Sequence, residues 1–265
     1  MIRAGIGGWT FEPWRGVFFP RGTPKTKELQ FASRQVTSIE VNGTYYSTFK
    51  PNTFQKWFAE VPDDFVFALK ANKFCTNRRV LCDAKPSIDR FLESGVTELK
   101  HKLGPIAWQF MPTKQFDAAD FEGFLDLLPA TFAGTKLRHA VEVRHPSFAT
   151  KEFVALAAKH NVAIVFAHAE KFPAIPDATS DFVYARLMEA QEYVPTGYKP
   201  AAIKNWVEAA KAWEAGGLPK GMTPLGTAAA KKKRDVFVYF IAGAKVRNPA
   251  AAVEFLKVLN NSPSP

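Results

Sequence analysis

The chain opens with Arg3-Ala4-Gly5-Ile6-Gly7-Gly8-Trp9-Thr10, a short apolar run that closes on two glycines and an aromatic ring. Two architectures alternate strands with helices, and this stretch separates them. A doubly wound open sheet announces its first strand with a GxGxxG turn that cradles a pyrophosphate. Glycines at 5, 7 and 8 do not fit that spacing, and no GxxxxGKS or GxxxxGKT phosphate loop follows anywhere. The run instead reads as the first strand of a closed parallel barrel, in which residues at or just past each strand end meet the ligand.

Further along, β-branched and apolar runs recur at Arg3–Gly8, Ser38–Val41, Phe65–Leu69, Ile106–Gln109, Ala140–Val143, Ala163–Phe166, Phe182–Arg186 and Val236–Phe240. Between them apolar residues return at helical spacing, most clearly in Phe121-Phe124-Leu125-Leu128, Phe153-Leu156-Ala157 and Val253-Leu256-Leu259. Each such segment has one face to lay on a sheet. Eight strands and eight crossover helices, the sixth helix weakly marked, predict an α/β fold: a single TIM-type (β/α)8 barrel over residues 1–265.

Hydrophobic residues make up 47% of the chain, 24 of them Phe, which supplies a large core and excludes global disorder. The longest apolar runs, such as Val162 to Ala167, fall far short of the roughly 20 residues of a membrane span, and no signal-peptide core precedes the first strand. The expectation is a cytoplasmic protein with no membrane partner. Cys75 and Cys82 have no CxxC-like partner and read as reduced, incidental thiols. A formal charge of +10 favours anionic partners. Four of those charges stand together as Lys231-Lys232-Lys233-Arg234, ending a Gly-, Pro-, Ala- and Lys-rich stretch, 216–234, that joins the seventh helix to the eighth strand. Such αβ connections lie on the face away from the ligand, so a flexible, solvated basic loop is expected there, with a nucleic-acid contact as the alternative.

The strand ends carry more polarity than a stable apolar barrel needs. In chain order they give Trp9, then Glu40 and Asn42, Lys70 and Asn72, Gln109, Glu142 with Arg144 and His145, His168, and Arg186. A buried charge costs several kcal/mol unless it is paired, so this ring either neutralises itself in a salt-bridge lattice or serves a ligand. In the functional reading Glu40 and Glu142 act as general acid and base. Lys70, Arg144 and Arg186 hold an anion, Asn42 and Gln109 orient it, and Trp9, Tyr45 and Tyr46 stack on it. Glu40, Glu142, His145 and His168 are also metal-ligand types. However, no HxH or HExxH spacing supports a metal and three cations oppose one, so neither metal nor cofactor is expected. His101, His139 and His160 lie away from the strand ends and read as surface or structural. Two loops on the same face stand out: Asn72 to Arg79, which mixes cations, amides and an aromatic and suits a phosphate-bearing ligand or a nucleic-acid backbone, and Met188 to Lys199, long enough for a lid.

Taken as a set, the strand-end motifs resemble the YecE-like family, a domain of unknown function (number seventy-two). They are Gly7-Gly8-Trp9-Thr10 with Trp14-Arg15-Gly16 and Phe19-Pro20, Glu40-Val41-Asn42-Gly43-Thr44-Tyr45-Tyr46, and Phe67-Ala68-Leu69-Lys70-Ala71. Gly104-Pro105 and Gln109 follow, then Val141-Glu142-Val143-Arg144-His145-Pro146-Ser147-Phe148, Tyr184-Ala185-Arg186-Leu187 and Val238-Tyr239-Phe240. The resemblance implies a TIM barrel, distantly like sugar isomerases, with a preserved mouth and no assigned reaction. Two departures stand out. Met188-Glu189 replaces the family's His-Gly, and Ile241-Ala242-Gly243 replaces an Asn-Asn-Asp type sequence, while Asn248 still fits.

The resulting expectation is acid/base catalysis on a small polar anion, of sugar-phosphate or nucleotide type, at the C-terminal mouth. The alternative is a non-catalytic protein that binds nucleic acid or a phosphorylated ligand. No oligomeric state is legible.

Overall fold

The computed structural model describes residues 1–227 and 230–261. Strands β1 (Ile2–Gly7), β2 (Ser38–Val41), β3 (Val66–Lys70), β4 (Leu103–Gln109), β5 (His139–Glu142), β6 (Ala163–His168), β7 (Phe182–Leu187) and β8 (Asp235–Phe240) form one closed parallel barrel. They follow one another round the ring, and β1 pairs with both β2 and β8. All eight expected strands are present. The largest shift of an end is that of β4, which starts at Leu103 rather than Ile106.

The barrel closes around an interior of unequal halves. Inward positions on β3 to β6 are mostly small (Ala68, Ala107, Ala140, Ala163, Ala167), whereas β7 and β8 contribute Phe182, Tyr184, Phe237 and Tyr239. The two tyrosine rings lie 4.9 Å apart. Their hydroxyls reach β2, where Tyr184 donates to Glu40 Oε2 and Tyr239 bonds Ser38 Oγ, both at 2.7 Å. Large residues thus fill the room that the alanines leave, and the interior is a packed core rather than a channel.

Around the ring stand α1 (Glu28–Ala32), α2 (Gly43–Tyr46), α3 (Pro51–Glu60), α4 (Lys85–Leu92), α5 (Ala118–Asp126), α6 (Lys151–Lys159), α7 (Pro200–Glu214) and α8 (Asn248–Asn261). Local chemistry sets their starts: Asp117 accepts from the Asp120 amide at 2.9 Å, Thr150 from the Phe153 amide at 3.2 Å, and prolines open α3 and α7. The apolar face expected on α5 is buried, with Phe121 and Phe124 against Phe110 and Phe153 at ring separations near 5.3 Å.

Two expectations are corrected. No helix forms between β6 and β7, because Pro173 and Pro176 interrupt that segment and cannot continue a helical ladder. The segment is fixed instead by Thr179, whose hydroxyl donates to the Val162 carbonyl at 2.6 Å and accepts from the Ile164 amide at 3.1 Å. On α8 the buried face is Ala251, Ala252 and Phe255, and Val253, Leu256 and Leu259 form a half-buried flank. The described part of the basic stretch 216–234 is mostly exposed. Residues 228 and 229 within it, like 262–265 of the expected domain, lie outside the described residues. The stretch is anchored at Asp177, which accepts from the Leu225 and Gly226 amides at 2.9 and 2.8 Å. Gly216, at φ 85°, approaches Lys232 so closely that a Cβ would stand 2.3 Å from its carbonyl oxygen. Lys231 to Lys233 are exposed, but Arg234 is buried and donates to the carbonyls of Ser180, Lys232 and Ala230. Among the described residues no helix is long and apolar enough to cross a membrane.

Candidate functional site

Strand register brings the polar strand ends to one level. Gly7 stands beside Glu40, Gln109 beside Glu142, and Tyr239 beside Arg186. At the centre is Arg186. Its Nη1 donates to Glu142 Oε2 in a close contact and its Nη2 to Glu40 Oε1 at 3.1 Å. Glu142 Oε1 also accepts from Arg144 Nε at 2.9 Å, and Arg144 Nη2 donates to Gln109 Oε1 at 2.8 Å. Glu40 and Glu142 are 0% and 1% exposed, so all this pairing takes place out of water, where it is strongest.

The ionisation of the layer follows from that geometry. Burial alone would raise the Glu142 carboxyl, but Arg186, Arg144 and Lys70 outweigh it and hold the group below the usual carboxylate range. Burial would likewise weaken the hold of Arg186 on its proton, and Glu142 and Glu40 reverse that. Lys70 is different. Burial, then repulsion by Arg186, bring it down to about 8. Among the described residues it forms no ion pair, and its Nζ sits 4.4 Å from the Tyr45 ring centre. With Lys70, Arg144 and Arg186 set against two carboxylates, the layer keeps one uncompensated positive charge.

Above this layer opens a cavity of about 610 Å³, lined by Gly7, Gly8, Trp9, Asn42, Tyr46, Phe49, Trp57, Arg186, Ile241, Ala242, Lys245 and Asn248 among others. Gly7 makes the room: a Cβ there would lie 2.9 Å from Asn42 Nδ2 and 2.8 Å from Ile241 Cγ2. Gly8, at φ 73°, then turns the chain so that Trp9 forms a wall, edge-on to Trp57 at 5.2 Å. Among the described residues, Arg186 alone of the charged layer lines this wall, and two buried polar atoms of lining residues, Arg186 Nε and Asn248 Oδ1, have no hydrogen-bond partner.

Sequence reasoning thus brought together Trp9, Asn42, Tyr46 and Arg186 at the cavity, with Lys70, Gln109 and Arg144 packed beside or behind it. Glu40 and Glu142, expected as acid and base, are buried beneath the cavity and pair with Arg186. His145, expected at the ligand, pairs its Nδ1 with Ser147 Oγ at 2.8 Å and caps a short turn, Pro146–Phe148. His168 points the wrong way. On β6 the inward residues are Ala163, Val165 and Ala167, so His168 turns outward onto Trp206, 4.7 Å between ring centres, and lies 3.3 Å from Glu189 in a separate cavity of about 310 Å³. Gly7 and Lys245 were missed as lining residues, while Ile241, Ala242 and Asn248 entered the sequence reading only through the family resemblance. The alternation on β8 put Ile241 inward, and a Gly-Gly pair at a strand end was a legible sign of missing volume.

The loop Met188 to Lys199 is clamped rather than free. It closes on itself through Gln191 N to Gly197 O at 2.7 Å, and the Ala190 carbonyl accepts from Ala244 N at 2.9 Å. Among the described residues no three His, Cys, Asp or Glu side chains converge as a metal site.

A family model described as "Protein of unknown function DUF72" matches residues 3–265. This chain belongs to the DUF72 family. It is similar to the UPF0759 protein YecE of Escherichia coli K12, 28% identical over 160 residues that cover 57% of this chain and 51% of YecE. It is also similar to the UPF0759 protein YunF of Bacillus subtilis, 26% identical over 117 residues that cover 42% and 40%. The chain thus spans about half the length of the curated relatives it matches. A DUF72 family protein from Thermotoga maritima superposes with a TM-score of 0.76 at 20% identity, covering 98% of this chain and 100% of that one. A DUF72 family protein from Enterococcus faecalis gives 0.73 at 18%, covering 100% and 97%. The fold and family implied by the strand-end motifs are therefore correct. Ile241 and Ala242 line the mouth just past β8, Ala242 at φ 58°, and Met188 is buried in the barrel interior.

Proposed function

We propose that the mouth of this protein binds a small polar anion and acts on it by proton transfer. The observation that carries the reading is Arg186, a guanidinium neutralised from behind by two sealed carboxylates that still lines the cavity with its Nε unpartnered. A cation fixed in this way needs no rearrangement to receive an acceptor group, which is the preorganisation that binding and catalysis both exploit. Trp9, Tyr46 and Trp57 supply flat walls suited to a sugar ring or a base.

Lys70 stands behind the wall rather than on it, so we assign it proton transfer by way of one intervening water, in place of the carboxylates. Ionised Glu142 has both oxygens committed to guanidinium groups, so it has no proton to give and little freedom to take one. Lys70, at about 8, exchanges its proton near neutral pH within the same charged layer. The test is thermal denaturation with a panel of sugar phosphates, hydroxy acids and mononucleotides, followed by NMR of any stabilising compound in D2O. At least one compound is expected to raise the melting temperature and to acquire deuterium at carbon with the wild type but not with Lys70→Met. A panel without any shift removes the binding site, and exchange undiminished in Lys70→Met removes the role of Lys70.

A further inference from the structure

Two loops beside the mouth share a composition of which the site above uses only Tyr46. The loop after β2, residues 42–50, and the loop after β3, residues 71–81, contain Lys50, Lys73, Arg78 and Arg79 and not one Asp or Glu. None of the four cations forms an ion pair among the described residues. Each loop also holds one large aromatic ring in water: Tyr46 is 67% exposed and Phe74 is 65% exposed. The loops are neighbours, joined by Asn72 Nδ2 to the Thr44 carbonyl and by Asn77 Nδ2 to the Tyr45 hydroxyl, both at 3.4 Å.

The exposed rings are not incidental to a slack surface. The carbonyl of Phe74 accepts from Arg78 Nε at 3.1 Å and Nη2 at 2.7 Å, Arg78 also donates to Ser87 Oγ at 2.8 Å and to the Asp83 carbonyl, and the Phe74 amide donates to Asn72 Oδ1 at 3.1 Å. One arginine is thereby spent on bracing the loop that holds Phe74 outward, while Lys73 lies 5.6 Å from that ring and Arg79 projects into solvent. A braced loop gives up little ordering entropy when it binds.

We propose that these two loops bind single-stranded nucleic acid across the rim, with bases stacked on Tyr46 and Phe74 and phosphates on Lys73, Arg79 and Lys50. A polymer with a flat ring and one negative charge in every unit matches alternating aromatic and cationic groups, and any base offers the ring face that stacking needs. A duplex keeps its ring faces covered and matches only the charges. Tyr46 also lines the cavity, so a base stacked there sets the next unit of the strand at the opening above Arg186. This interaction stands apart from the small-anion chemistry proposed above and survives if that fails. The other basic run, Lys231 to Lys233, sits at the opposite end of the barrel.

Fluorescence anisotropy with a labelled short oligothymidylate tests the inference, with the full chain and at several salt concentrations. Binding at about 50 mM salt is expected, weakening steeply as salt rises. Tyr46→Ala and Phe74→Ala should each lose about tenfold in affinity. Arg79→Gln should lower the slope of log affinity against log salt by about 0.7. The double variant Lys231→Gln and Lys232→Gln should bind as the wild type does. All these side chains are exposed, so unchanged melting curves are expected and exclude unfolding as the cause of any loss. No binding at the lowest salt overturns the proposal, as does a duplex bound as tightly as the single strand, an unchanged affinity in both aromatic variants, or retention on anionic vesicles in place of the oligonucleotide.

Discussion

The two ends of the barrel both bury charge, and they dispose of it in opposite ways. At the N-terminal end of the strands, buried polar groups are spent on the backbone. Lys102 donates to the carbonyls of Phe58 and Val61, both at 2.9 Å, Arg234 holds three carbonyls, and His139 is fixed between Trp108 Nε1 at 3.1 Å and the Pro129 carbonyl at 2.8 Å. These contacts fasten connections to the ring and leave little for a partner to do. At the mouth, side chains bind one another, one lysine lacks an ion pair, and two buried polar atoms on the cavity have no partner. Polarity that ends on main chain is mortar, while polarity that ends on other side chains with capacity to spare marks a place for a ligand.

Several substitutions would break or sharpen that contrast. The largest effect belongs to Glu142→Gln, which leaves Arg186 and Arg144 short of a buried counter-charge. It should cost about 3–5 kcal/mol in urea denaturation, and an unperturbed midpoint would mean the lattice is not holding the mouth together. Next is the pH dependence of Lys70. Its folded value of about 8 lies below its ordinary 10.5, so the unfolded chain binds the extra proton and stability rises with pH between those values. Lys70→Met should therefore be more stable than the wild type below pH 8, by on the order of 2–3 kcal/mol, and the advantage should fade towards pH 10.5.

The opposite end titrates in the opposite window. Burial brings His139 down to about 4 from 6.5, so the wild type should lose stability as pH falls between 6.5 and 4, and His139→Phe should flatten that slope whatever its effect at neutral pH. Lys102→Met, which strips two carbonyls of their donor, should cost roughly 1–3 kcal/mol and leave any anion binding at the mouth unchanged. The smallest effect is expected at Ala242, whose φ of 58° suits glycine; Ala242→Gly should stabilise by about 1 kcal/mol or less in thermal melts.

Strand order and the convergence of the strand ends were legible because both follow from period-2 alternation and from the parallel barrel rule. Glu40, Glu142 and Arg186 share a level because each stands at an inward position near the end of its strand. The sequence did not reveal depth. Whether a carboxylate at a strand end lies in the cavity or beneath it depends on what packs over it, which alternation along one strand does not specify. His168 was misplaced by one step of alternation, since Val165 and Ala167 take the inward positions. The helix expected between β6 and β7 is excluded by Pro173 and Pro176, which a weak helical period does not outweigh. Lys245, from the turn after β8, and Asn248, the first residue of α8, join the cavity where no strand period applies.

The pairing of Ile2 with Val236 places the first strand between the second and the last. A nascent chain can assemble the sheet from β1 to β7 as it leaves the ribosome, but the ring stays open, with two unsatisfied edges, until β8 is made. The seal is of long range: Ile2 pairs with Val236 and Ile6 with Phe240, each 234 positions away. Closure over that span is slow, and an open parallel edge recruits strands from other chains. Translation that halts before residue 235 therefore releases a sheet with aggregation built into its two margins, and the final strand acts as the latch on solubility.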